Sequence, residues 1–353
     1  MTSETNTADI EWYQAQQHVA QIDMTDMGLS TLSDMVLAQH IDIAPDFQRR
    51  DRWSNKQRSL LIDSFLRNIP VPPIYLAEDR NNMGEYAVID GKQRTTAITL
   101  FFNDELELTN LTNNPFNGKK FSQLPKKVQS SLRLKTIRII SIQHGTSEEI
   151  AHEVFKRLNT AGTQLTAQEL RNVAFRGTLN DCLIELAKNQ IFVRQFGFSN
   201  QSKAMQKMDD VQYVLRFLSL KDNWRNFSGN LQKTMDDYMA EFSNPSSNWI
   251  RETKHQFIDT LDTVYSIWGE STFQRPQREQ ALAGVYDAQM LAVASFDDDD
   301  RQKLIESRDE IVAEWLELFN NEDFYKAVTN GTNAKGRLIY RVSTLEDLLR
   351  SYI

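Results

Sequence analysis

The sequence predicts an α+β protein in which a mixed N-terminal domain is followed by an all-helical one. Three observations carry this expectation. Before about residue 175, short runs rich in Ile, Val and Tyr alternate with helical patterns. After it, nearly every segment spaces its apolar residues three and four apart, as one buried helix face requires. The length of 353 residues, 40% of them hydrophobic, suffices for one large domain or two modest ones.

Taken in order, residues 1–25 open polar and acidic and read as a flexible N-terminus. Residues 26–175 form the mixed domain and residues 176–353 the helical one. A helix is predicted from about Asn55 to Arg67, with Leu60, Leu61, Phe65 and Leu66 on one stripe. It must stop before Pro70-Val71-Pro72-Pro73, because proline lacks the N–H that a helix needs. IYLAE (74–78), YAVID (86–90) and LKTIRIISI (134–142) read as strands. Between the last two lies a helix after Arg94, with Ala97, Ile98, Leu100 and Phe101 apolar. Another spans Ser147 to Leu158, capped by Thr146 or Ser147. Six helical segments follow, at 209–220, 232–242, 253–268, 279–296, 299–319 and 345–353.

The charge of −8 argues against indiscriminate nucleic-acid binding. It is unevenly spread. Arg49, Arg50, Arg52, Lys56 and Arg58 stand against only Asp46 and Asp51, whereas Asp297 to Asp300 concentrate negative charge. The single cysteine, Cys182, excludes an internal disulfide framework and a Cys-rich zinc site, and its apolar setting reads as a buried core thiol. No apolar run is long enough to span a bilayer and the N-terminus has no targeting pattern, so a cytoplasmic protein with no membrane partner is expected.

The segment YAVID-GKQRTT-AITLFF reads as strand, tight polar turn, helix. Such a turn presents backbone N–H groups at a helix N-terminus, where the dipole favours an anion. Gly91 permits close backbone approach. Lys92 and Arg94 suit phosphate oxygens, and Thr95 and Thr96 add hydroxyls. Asp90 suits a bridging Mg²⁺ or the activation of a water. The alternative is that Asp90 pairs with Arg94 and caps the helix. There is no GxxxxGK[ST], so this is not a Walker-type loop. Local chemistry leaves both readings open.

Three blocks in order carry a resemblance: Phe47-Gln48-Arg49 with Trp53, then Ile89-Asp90-Gly91-Lys92-Gln93-Arg94-Thr95-Thr96, then VFKRLNTAGTQLTAQELRN at 154–172. Together they resemble the GmrSD-type N-terminal domain family, with its DGQQR motif and its relation to the ParB/sulfiredoxin fold, over about residues 30–175. Lys92 stands where the family more often has Gln. The resemblance implies a ParB-like domain that binds or hydrolyses a nucleoside triphosphate with Mg²⁺, in restriction or anti-phage defence. Asp90, Gln93 and Arg94 would be catalytic, with Asp90 on the metal. Gly91, Lys92, Thr95, Thr96, Gln48, Arg49 and Asn159 would hold the nucleotide. Lys156 and Arg157 are candidate phosphate contacts, and Glu169 and Arg171 pair on a helix face or hold the preceding loop.

Larger family members carry a C-terminal HNH nuclease. Here only His255 lies in the C-terminal half, without the paired His or His-Asn pattern that such a site needs. The expectation is therefore an NTP-dependent sensor or regulator acting on DNA, modified or not, with a separate nuclease or methyltransferase partner and a possible homo-oligomeric state. The alternatives are a non-catalytic DNA- or protein-binding module, and a stand-alone Mg-dependent nuclease using the N-terminal site. One polar stretch in the helical half, TNGTNAKGRLIYR (329–341), offers Lys335, Arg337 and Arg341 to phosphates, or is a surface turn between helices.

Overall fold

A computed structural model of the chain describes residues 10, 13, 20–43, 53–79, 82–158, 166–198, 208–243 and 245–353. The chain divides into two compact units, Met1–Leu165 and Thr166–Ile353.

The first unit is built on a five-stranded mixed sheet of order β1-β5-β3-β4-β2. Its strands are β1 (Ile22–Gly28), β2 (Ile41–Asp42), β3 (Ile74–Glu78), β4 (Tyr86–Asp90) and β5 (Thr136–Ile142). β5 pairs antiparallel with β1, from Ile22 opposite Ile142 to Gly28 opposite Thr136, and parallel with β3. β4 pairs antiparallel with β3 and parallel with β2. Of these strands, β3 and β4 lie where the β-branched runs predict them. β1, IDMTDMG, is an edge strand whose first five residues are solvent-exposed, and it begins inside the segment expected to be flexible. Two aspartates and no run of β-formers give it no strand signature.

The helices of this unit are α1 (Leu29–Leu37), α2 (Asn55–Leu66), α3 (Lys92–Phe102), α4 (Lys126–Leu134) and α5 (Glu148–Leu158). Ser54 caps α2 in a reciprocal box: its hydroxyl accepts from the Gln57 N–H, and the Gln57 amide oxygen accepts from the Ser54 N–H. Leu29, Leu32, Ile62, Phe65, Ile98 and Phe101 from α1, α2 and α3 bury against Ile74, Leu76 and Val88 of the sheet. At about 25 cal/mol per Å² of apolar surface, this burial is the main stabilising term for the unit. The helix after β4 starts at Lys92, not near Ala97. Gly91 reverses the chain in a single residue, and Thr95 then closes the first turn with its N–H on the Gly91 carbonyl at 2.8 Å. The strand expected from Leu134 begins at Thr136, because Leu134 still belongs to α4.

The second unit is helical. Its helices are α6 (Ala167–Ala174), α7 (Thr178–Leu186), α8 (Gln190–Phe196), α9 (Asp209–Leu220), α10 (Leu231–Glu241), α11 (Ser247–Trp268), α12 (Ala283–Val293), α13 (Asp298–Glu306), α14 (Arg308–Leu318), α15 (Glu322–Thr329) and α16 (Lys335–Arg350). The single helical pattern read at 299–319 is two helices that meet at Ser307. α12 is buried from Gly284 to Val293 and forms the axis of the unit. Gly284 lets α15 approach: a Cβ there would fall 2.2 Å from the Val328 carbonyl oxygen. Inside this unit Asp287 on α12 accepts from Arg216 on α9 at 2.6 and 2.5 Å and from Arg341 on α16, all three side chains buried. Cys182 is buried, and burial pushes its thiol up to about 11.

Candidate functional site

The turn between β4 and α3 is fixed by four contacts. Gly91 has φ of 101°, a left-handed conformation that only glycine adopts without strain. A Cβ there would stand 2.9 Å from Ile74 Cγ1 and 3.3 Å from Ile74 Cα, so β3 closes the space as well. Asp90, the last residue of β4, forms an ion pair with Arg94 one helical turn later, Nη2 to Oδ2 at 2.8 Å. The same Arg94 nitrogen donates to the Pro73 carbonyl at 3.0 Å. Gln93 accepts the Trp53 backbone N–H on its Oε1 at 3.1 Å, which ties α3 to the start of α2.

Both local readings of Asp90 meet these contacts in part. It does pair with Arg94, but it does not cap α3: the cap is Gly91, and no side chain caps this helix. Side-chain exposure is 40% for Asp90 and 15% for Arg94. Lys92 and Thr96 are half-buried on the first turns of α3. Thr95 is fully buried, and its hydroxyl donates to the Gly91 carbonyl at 3.1 Å, so it braces the turn from the core side.

Arg94 also reaches a cleft of ≈ 370 Å³ walled by Trp53, Gln57, Leu60, Pro70 and Pro72 among others. The cleft thus brings together the start of the first sequence block's helix, the proline segment and the arginine of the second block. Sequence reasoning did not single out Pro73, Gln57 or the proline run as parts of the site. The signal was there in Pro70-Val71-Pro72-Pro73, which cannot donate at three of its four positions and so holds carbonyls open for a partner.

Gln48, Arg49 and Asn159 lie outside the described residues. Lys156 and Arg157 are exposed on α5, Arg157 paired with Glu153 at 2.8 Å. Glu169 and Arg171 do not pair with each other. Glu169 accepts the Thr166 N–H in the capping box of α6, and the buried Arg171 binds Asp236 at 2.6 Å. In the 329–341 stretch Arg341 is buried on Asp287 and Arg337 donates to the Asn330 carbonyl, so both serve the helix junction. Lys335 opens α16.

One group could bear on a metal here. Asp90 Oδ1 has no hydrogen-bond partner among the described residues, which leaves one carboxylate oxygen open. No group of three or more His, Cys, Asp or Glu side chains forms a metal cage among the described residues. A single open carboxylate suits a Mg²⁺ completed by phosphates and water, and does not suit a cage made of protein ligands.

These features define the class: an α+β domain whose candidate site is a strand–glycine–helix turn, braced by an Asp–Arg pair beside a cleft. Residues 32–176 match the family model described as GmrSD restriction endonuclease, N-terminal domain, and this segment is similar to that domain. The matched segment runs past Thr166 and takes in α6 of the second unit. Neither the comparison with curated proteins nor that with solved structures gives a match. No described helix is long and apolar enough to cross a membrane.

Proposed function

We propose that this chain is a nucleoside-triphosphate-binding, DNA-directed sensor or regulator of a restriction or anti-phage defence system, hydrolysing the nucleotide as part of its cycle. The observation that carries the reading is Asp90 and Arg94, paired at the start of α3, which no side chain caps, with Arg94 on the cleft walled by Trp53. A helix N-terminus favours phosphate oxygens, and Gly91 removes the Cβ that would hold them off. Lys92, Thr96 and the Arg94 guanidinium supply donors beside it, and Trp53 offers a ring for a base. Asp90 would hold Mg²⁺ through its open oxygen, and the bound ion would neutralise charge on the phosphates. Gln93 keeps Trp53 in place. Phosphoryl transfer runs on positioning and electrostatics, so the site needs no covalent nucleophile.

The test compares the wild type with Arg94→Ala, Arg94→Lys and Asp90→Ala, each checked for an intact fold by its melting temperature. Binding of each NTP with Mg²⁺ and phosphate release are measured. Arg94→Ala and Asp90→Ala are expected to lower turnover by about 100-fold or more, the scale of losing one electrostatic stabiliser. Arg94→Lys keeps the charge but not the fork, and should fall between. Equal turnover in all four proteins overturns the reading.

A second reading, a non-catalytic DNA- or protein-binding module, is favoured by one observation. Asp90, Gln93, Arg94 and Thr95 each make a contact within the domain, as a purely structural motif would. DNA affinity that no nucleotide alters would select it.

A further inference from the structure

Between Leu108 and Ser147 the chain carries seven lysines and arginines and no aspartate or glutamate, in a protein whose total charge is −8. These forty residues hold Lys119, Lys120, Lys126, Lys127, Arg133, Lys135 and Arg138. The fold gathers them. Gln129 on α4 donates to the carbonyls of Ser122 and Leu124, which clamps the short 3-10 turn Phe121–Gln123, and with it Lys119 and Lys120, against the helix. Arg133 lies over the Phe121 ring at 5.0 Å. Lys135 joins α4 to β5, and its carbonyl accepts the Leu29 N–H.

The buried side of α4 is Gln129 and Leu132; Lys127, Ser130, Ser131 and Leu134 lie opposite it, Lys126 and Arg133 flank it, and all six are exposed. Among the described residues only Arg138 of the seven is in a salt bridge, with Asp26. Two other carboxylates bordering the segment are also committed: Asp104 accepts the Ser122 N–H, and Asp63 accepts from Arg67 and Asn114. Lys126 and Lys127 moreover stand in the first turn of α4, where a cation opposes the helix dipole. Stability of the helix does not call for them there.

We infer that α4 with the preceding turn is a docking surface for the phosphate backbone of duplex DNA, separate from the Asp90–Arg94 site. The inference rests on the DNA-directed reading above and names the surface that reading lacks. Duplex DNA fits better than a lipid bilayer. Most exposed neutral residues around the cations are hydrogen-bond donors (Thr112, Asn113, Asn117, Ser122, Ser130 and Ser131 among them), the groups that accompany lysine on phosphates. A membrane-seated helix would instead present several large apolar residues, and α4 exposes only Leu134. At about 1.5 Å per residue, nine residues extend about 13 Å, enough to lie along two successive phosphates of one strand.

The test measures binding of the full-length protein to a 30-base-pair unmodified duplex as a function of salt. The triple variant Lys120→Gln, Lys126→Gln, Lys127→Gln is compared with the wild type and with a control of equal charge, Lys233→Gln, Lys303→Gln, Lys326→Gln. The slope of log affinity against log salt should shrink by about 3 in the first variant, near 0.9 for each phosphate that is no longer neutralised. Its affinity at moderate salt should drop more than tenfold, with the control within twofold of the wild type. Nucleotide turnover should be unchanged in both. A triple variant that binds like the wild type overturns the surface and leaves the DNA-directed reading standing. A wild type that ignores the duplex overturns both, and one that instead binds phosphatidylserine vesicles through the same lysines assigns the surface to membranes.

Discussion

Gly91 is the residue on which the site turns. It has both reasons to be glycine: a left-handed φ and a neighbour, Ile74, that occupies the position of any Cβ. Gly91→Ala should therefore destabilise the protein by about 2–4 kcal/mol, the sum of backbone strain and overpacking. Thermal or urea unfolding measures it, and a change below about 0.5 kcal/mol would mean the turn relaxes freely. Asp90, Gln93 and Arg94 were legible as a group in the sequence because they fall within five residues of one another. Their partners were not. The Pro73 carbonyl and the Trp53 N–H are backbone groups, brought to the turn by a sheet pairing and a helix cap that side-chain chemistry does not announce.

Among the elements, those with a strong period or a strong cap were read almost to the residue: β3, β4, α2 and α9. Where reading failed, another force had overridden propensity. β1 is a strand because β5 offers it an edge, and its own residues would not specify it. α3 begins early because Gly91 completes the turn in one residue. Element ends are also where titration enters. Glu78, at the end of β3, accepts from the His144 ring at 2.8 Å, and from the backbone N–H groups of His144 and Gly84. It thereby ties β3 to the turn after β5 and to the turn before β4. The His144 hydrogen bond, foremost among these, holds the Glu78 carboxyl below its ordinary 4.5. A lowered folded-state pKa contributes stability above the ordinary value, and that stability is lost as pH falls through the folded-state value. The melting temperature of the wild type should exceed that of Glu78→Gln at pH 6, with the gap closing below pH 4.5. A gap that stays constant down to pH 3 would place the effect elsewhere.

For the molecule as a whole, the sequence changes texture near residue 175, while the chain divides at Thr166, ahead of α6; the interior charges of the helical unit were not readable. Arg216 falls on an amphipathic segment, and Arg341 in a polar stretch read as a phosphate contact or a surface turn, neither with a sign of burial. In the fold they converge on Asp287 from α9 and α16, with Arg341 fully buried. Removing the one carboxylate strands two guanidinium groups away from water. Asp287→Asn should cost about 3–5 kcal/mol in equilibrium unfolding, whereas replacing all three side chains with leucine should cost much less. Equal losses from both changes would show that packing volume, and not charge, governs the site.

The order of strands in the first unit has a consequence for the chain as it is made. β5 separates β1 from β3, so β1 has no partner until residues 136–142 have been synthesised. At about 5–20 residues per second, the edge strand waits roughly ten seconds outside the ribosome with its backbone hydrogen-bonded only to water. A strand made of IDMTDMG, with two aspartates spaced along it, is suited to that interval. Its charges discourage pairing with a neighbouring nascent chain, and Asp26 finds its counter-charge only when Arg138 arrives. The weak strand signature that hid β1 from sequence reading is thus the property that lets it wait.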